Sequence, residues 1–231
     1  MRAVEPPGWG RQTLIILRKD LAIELATKEI VTTAGFFAVL VAVIASIAFS
    51  GGSDVRQRVA PGVIWVAVAF AAVLALSRAW QRERDDGALN GLLVSPLARS
   101  AFFAGKALGL TVFLLLIEAI VIPIAAVFFG IDLVEVGPGL AIFCLLVNPG
   151  LAASGTLFGA MTVRTRARDL MLAAVMFPLL TPTLLAGVAG TRELFYGASV
   201  AEVGDYFQLI GVFDALFVAG GLGMFELLIE G

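Results

Sequence analysis

Six stretches of this chain are long and apolar enough to be membrane-spanning helices, and that repetition constrains the fold more than any single motif. By window length they are Thr33 to Ser50, Ala60 to Ala79, Gly105 to Phe129, Pro138 to Met161, Leu170 to Ala189 and Gln208 to Ile229. An α-helix needs about 20 apolar residues to cross about 30 Å of hydrocarbon. None of these runs shows the two-residue alternation of a membrane β-barrel. With 60% hydrophobic and 15% charged residues and a mean hydropathy of +0.99, residues 1–231 read as a single all-α, polytopic transmembrane domain. No soluble domain, low-complexity tract or internal repeat interrupts it.

The basic residues orient the spans. Arg2, Arg11, Arg18, Lys19 and Lys28 precede the first span. Arg78, Arg82, Arg84, Arg99 and Lys106 flank the connection between the second and third, and Arg164, Arg166 and Arg168 that between the fourth and fifth. These thirteen share one side, against Arg56, Arg58 and Arg192 on the other. The positive-inside rule makes the first side cytoplasmic, and an even number of spans puts both termini there. The early apolar run Thr13 to Leu17 is too short for the core of a signal peptide and is followed directly by Arg18 and Lys19. Around it, Leu14, Leu17, Leu21 and Leu25 recur near helical spacing, with Arg18, Lys19, Asp20, Glu24 and Lys28 between them. This pattern predicts an amphipathic interfacial helix on the cytoplasmic surface; a plain extension of the first span is the alternative.

The segment RAWQRERDDGALNGLLVSPLARS, Arg78 to Ser100, is the only densely charged stretch in the middle of the chain. Arg82, Glu83, Arg84, Asp85 and Asp86 give way to Leu89, Leu92 and Leu93 on one helical face, before Ser95 and Pro96 end the helix. A short amphipathic helix between two spans is a docking element in search of a partner. On the other side, Thr191 to Tyr206 forms the largest outward loop, with Phe195, Tyr196 and Tyr206 beside Glu193, Glu202 and Asp205, suited to an interfacial aromatic belt or short surface helices.

Inside the membrane two acids stand out. Glu118 lies twelve residues beyond Lys106, which places it about 18 Å along the third span, near the midplane. A carboxyl there costs about 2.5 to 3.5 kcal/mol on insertion scales, so it faces protein or water, either as a hydrogen-bonding group between helices or in a transport path. Asp214 in the last span is a shallower case. Small residues recur every fourth position at Ala101, Gly105 and Gly109, at Gly155 and Gly159, and at Gly211, Ala215, Ala219 and Gly223, which favours close packing of helices within the chain. Pro178 and Pro182 share a face of the fifth span, and Pro123 and Pro149 lie within the third and fourth, each removing a backbone donor.

Several functions are excluded by what the chain lacks. There is no histidine, hence no His-based metal site and no imidazole ligand for haem iron. No G-x-x-x-x-G-K-[ST] loop occurs, so any ATP-driven work takes its energy from another chain. No G-x-S-x-G elbow occurs, and no catalytic residue, bound cofactor or metal is assigned. The lone Cys144 lies in an apolar run and cannot form an intrachain disulfide. A net charge of −2 without a basic aromatic cluster gives no sign of nucleic acid binding.

Four stretches resemble the CcmB family, cytochrome c maturation permeases also called haem exporter protein B: RKDLAIEL (Arg18 to Leu25), APGVIWVAVAFAAVLAL (Ala60 to Leu76), ERDDGALNGLLVSPL (Glu83 to Leu97) and FPLLTPTLLAG (Phe177 to Gly187). Together they follow the family's charged N-terminal helix, Pro-Gly-x-x-Trp start of the second span, E-R-x-x-G-x-L-x-x-L-L-x-S-P loop and proline-paired fifth span. Glu118, Glu226 and Glu230 have no place in that pattern. The resemblance implies an ABC-2 exporter-like permease in a bacterial inner membrane. It would work with a cytoplasmic ABC ATPase that binds ATP, the other cytochrome c maturation membrane proteins, the periplasmic haem chaperone and a second permease copy. Haem export and release of the haem-loaded chaperone both remain open as the work done. In this reading residues 80–100 hold a coupling helix that sits in a groove of the ATPase. Leu89, Leu92 and Leu93 anchor it, Glu83, Arg84 and Asp85 pair with the ATPase's charges, Gly87 allows a close approach, and Ser95 and Pro96 stop the helix. The rivals are an ion-coupled secondary transporter using Glu118 and Asp214, and a passive scaffold.

Overall fold

The computed structural model describes residues 7–49, 52–85, 91, 95–162 and 168–230. Among these residues all regular structure is helical: α1 (Trp9–Thr27), α2 (Glu29–Ala48), α3 (Ser53–Asp85), α4 (Arg99–Phe129), α5 (Leu133–Thr162), α6 (Arg168–Phe195) and α7 (Gly204–Glu230). Helices α2 to α7 are each long and apolar enough to cross a membrane. The chain is therefore a multi-pass helical membrane protein with one candidate span for each apolar run. A helix satisfies its own backbone amides, which lipid cannot do.

The charged connection after the second span is shorter than its composition suggests, because α3 continues beyond Ala79 to Asp85. Its 33 residues reach about 50 Å at 1.5 Å per residue, well past the hydrocarbon. Trp80 and Glu83 are buried on this extension, so packing holds the extra turns. At the opposite end α6 runs to Phe195, since Thr191 and Leu194 are also buried. The connection expected over residues 191–206 is thereby reduced to 196–203, and Tyr206 falls in the first turn of α7.

Helix α4 is the hub, packing on α1, α2, α3, α5 and α7. Helices α3 and α5 are the most enclosed, with 67% of their apolar windows buried, whereas α7 at 17% leaves most of its surface outward. Two of the three small-residue stripes seat a neighbouring helix. A Cβ at Gly105 would stand 2.6 Å from Ile16 Cβ and 2.7 Å from the Thr13 carbonyl oxygen, so α1 crosses α4 almost backbone to backbone. A Cβ at Gly155 or Gly159 would enter the Leu76 side chain or the Trp80 ring of α3. The third stripe is open: nothing lies within 4 Å of the Cβ position at Gly211 or Gly223. Pro123, Pro149, Pro178 and Pro182 all sit within continuous helices.

The first helix is amphipathic, with its polar side turned in. Gln12, Thr13, Ile16, Asp20 and Glu24 are buried, while Leu14, Ile15 and Leu25 are exposed. Lys28 separates it from α2 in a left-handed conformation (φ 53°), its N–H closing on the Glu24 carbonyl. The Glu24 carboxylate then accepts the Val31 N–H at 2.8 Å, satisfying one of the free donors at the start of α2.

Candidate functional site

Where α1, α3 and α4 meet, four charges of alternating sign form one cluster. Lys106 on α4 donates to Glu83 on α3 at 2.7 Å and lies 3.1 Å from Asp20 on α1. Lys19 on α1 reaches the same Glu83 oxygen at 2.6 Å and stands 3.2 Å from Asp20. Glu83 and Lys106 are each only 3% exposed. A charge so placed is costly unless paired, and here each has an opposite neighbour. Burial alone would lower the pKa of the Lys19 ammonium, but Asp20 and then Glu83 outweigh it, and the net shift is upward. Beside this cluster, Arg82 contacts Glu24 at 3.8 Å, Glu29 at 3.2 Å and the Thr27 hydroxyl at 3.2 Å, and Arg78 meets Glu29 at 3.4 Å.

This cluster separates the residues expected to face a partner. Glu83 turns instead to Lys19 and Lys106, because helix α3 continues through it and presents its face to α1 and α4. Arg84 and Asp85 are exposed and paired with each other at 3.3 Å. Pro96 is exposed and Ser95 half-buried, in the non-helical stretch before α4. Gly87, Leu89, Leu92 and Leu93, and with them most of the expected coupling helix, lie outside the described residues.

The two intramembrane acids are not brought together. Glu118 is 2% exposed and accepts a 2.6 Å hydrogen bond from the Asn148 amide of α5, at the floor of an otherwise apolar groove of about 400 Å³ between α4 and α5. Asp214 on α7 lies against Gly150, where any Cβ would overlap its carboxylate. Positions 148 and 150 are two residues apart, about 200° around α5, so the acids flank opposite sides of that helix. Sequence reasoning missed Asn148 as the partner, although it is the one amide side chain within the fourth apolar run.

A second junction joins α3 to α6. The buried Trp65 indole N–H donates to the Thr191 hydroxyl at 2.9 Å, and its ring lies 3.0 Å from the Cβ position of Gly187. The four stretches that carry the family resemblance therefore meet in pairs. The first and third join through Lys19, Asp20 and Glu83, and Trp65 of the second lies on Gly187 of the fourth. The lone Lys106 outside these stretches completes the charged cluster, a role its position at the head of a span did not signal.

A family model described as "CcmB protein" matches residues 11–221. Among curated proteins, the heme exporter protein B of Paracoccus denitrificans is 32% identical over 62% of this chain and 65% of its own length, a little under two thirds of that relative. Those of Pseudomonas aeruginosa and Haemophilus influenzae are 27% and 28% identical, covering 80% and 83% of this chain and 82% and 88% of theirs. The family match takes in the first five spans, most of the sixth and both junctions: the chain belongs to the CcmB protein family.

Proposed function

We propose that this chain is the membrane permease subunit of an ABC transporter for cytochrome c maturation in a bacterial inner membrane. It couples ATP hydrolysis by a partner ATPase to haem export or to release of the haem-loaded periplasmic chaperone. The observation that carries this reading is the match of residues 11–221 to the CcmB family, together with similarity over 80% and 83% of the chain to proteins called heme exporter protein B. The absence of a P-loop from the sequence agrees with it, since the ATP must be bound elsewhere. The end with the Lys19, Glu83 and Lys106 cluster is cytoplasmic by the distribution of basic residues, and both termini lie there.

Energy enters at the connection between α3 and α4. The exposed Arg84 and Asp85 lead into it, Leu89, Leu92 and Leu93 seat in the ATPase groove, Gly87 permits close approach, and Ser95 and Pro96 end the docking helix. Glu83 holds this element to the bundle. The separation of Glu118 from Asp214 counts against an ion-coupled transporter built on both.

The test is co-purification from membranes followed by an ATPase assay. An ATPase that accompanies the chain, and is lost from a Leu92→Asp, Leu93→Asp variant, supports the reading. A chain that purifies without any associated hydrolysis removes it in favour of a scaffold.

A further inference from the structure

The connection between α3 and α4 is tied to α1 at both ends. At its leading end Lys19 holds Glu83, and Thr27 and Glu24 hold Arg82. At its trailing end the Gln12 side-chain carbonyl accepts the Ala98 N–H at 2.8 Å, and the Trp9 indole N–H donates to the Ser100 hydroxyl at 3.0 Å. Ala98 is the residue that opens α4. The other end of the Gln12 amide donates to the Pro7 carbonyl at 2.6 Å, so both of its functional groups are engaged and its orientation is set. Gln12 and Lys19 are seven residues apart, about 10 Å along α1, enough to bridge the two ends of the connection.

We infer that α1 is a strap that fixes both ends of this connection in register, so that Lys19, Asp20, Gln12 and Trp9 are positioning residues for the docking segment between them. This rests on the docking reading above and adds the device that orients it. Two features make α1 suited to the task. Its crossing of α4 at Gly105 is too close to slide, and beside the apolar contact of Ile16 its ties to the two ends of the connection are charges and single hydrogen bonds. A buried ion pair is a poor source of stability, but a shift of one turn leaves a charge unpaired, so it enforces one register. A docking segment held in one orientation binds with its intrinsic affinity. Released, it binds with an affinity reduced by the fraction of time it is competent.

Two variants of the full chain in nanodiscs, with its ATPase, test this. Trp9→Phe with Gln12→Leu cuts the trailing tie without altering any charge. Glu83→Gln with Lys106→Met loosens the leading tie, removing one charge of each sign and leaving Lys19 paired with Asp20 and Arg82 on Thr27 and Glu24. Each is expected to weaken ATPase binding about tenfold, as a competent fraction near one in ten requires. Cutting the trailing tie is also expected to speed amide exchange at Arg82 to Asp85 as well as at Ala98, because a strap transmits its loss to the other end. Leu92→Asp with Leu93→Asp runs alongside as the docking arm. If that arm loses the ATPase while both strap variants keep full affinity and exchange, the strap is overturned and docking stands. If that arm keeps the ATPase, docking fails and exchange alone decides: acceleration confined to Ala98 in the trailing variant overturns the strap, and acceleration at both ends upholds it. Should the leading variant fail to accumulate, the trailing variant decides.

Discussion

Lys106 and Glu83 form a 2.7 Å ion pair between the start of α4 and the end of α3, with Asp20 of α1 on the far side of the ammonium. Lys106→Met strips that ammonium from two carboxylates that are almost wholly buried. Removing one partner of a buried pair costs about 3 to 5 kcal/mol, and Lys19 offsets only part of it. Thermal unfolding in detergent is expected to show a marked loss for Lys106→Met and a smaller one for Lys106→Met with Glu83→Gln. A double variant that loses the sum of the two single changes would refute the coupling.

Gly105 and Gly109 are neighbours on one stripe of α4 but meet α1 differently. The Cβ of an alanine at 105 would press on the α1 backbone at 2.7 Å, whereas at 109 its nearest neighbour is Asp20 Cβ at an ordinary 3.5 Å. Gly105→Ala is expected to destabilise by about 1 to 3 kcal/mol through overpacking. Gly109→Ala is expected to be neutral or to gain up to about 1 kcal/mol of helix propensity. Melting curves of the two variants, measured side by side, check the contrast.

The spans were legible because hydropathy and length report directly on what lipid tolerates. Their ends were not, since the extra turns after Ala79 and Ala189 are held by Trp80, Glu83 and Thr191, whose partners are far away in sequence. The small-residue stripes of α4 and α5 pack within the chain, as their spacing favours. The charged cluster escaped because Glu83 sits in a run of exposed-looking charges, and nothing local distinguishes it from Arg84 or Asp85. Only the neighbouring helices reveal that it faces inward. The depth of Glu118 demands a partner, but that partner, Asn148, comes from another span, where spacing rules do not reach.

For Glu118 the Asn148 bond separates a structural role from a transport role. Glu118→Gln keeps a carbonyl oxygen to accept the Asn148 amide, so folding and the proposed transport activity are expected to survive. Glu118→Ala leaves that fully buried amide without its partner, at a cost of about 1 to 3 kcal/mol. The check is transport by the Gln variant in vesicles alongside melting of the Ala variant. A Gln variant that folds normally but is inactive would assign the carboxyl to the transport path instead.

At the other end of the molecule an exposed carboxylate adds to the backbone bonds that shape the connection from α6 to α7. Glu202 accepts both the Ser199 N–H at 2.6 Å and the Ser199 hydroxyl at 2.8 Å, and the backbone bond, then the hydroxyl, keeps its pKa below the ordinary carboxylate range. A group whose folded pKa is depressed contributes stability that is present above the unfolded value and lost as pH falls through the folded one. Protection of the Ser199 amide, corrected for the intrinsic pH dependence of exchange, is therefore expected to hold at neutral pH and to be lost only as pH falls below the ordinary titration range of glutamate. A Glu202→Gln variant still offers an acceptor but cannot titrate, so its protection should be flat over the same interval. The same acid-induced loss in the Gln variant would mean that another group controls the turn.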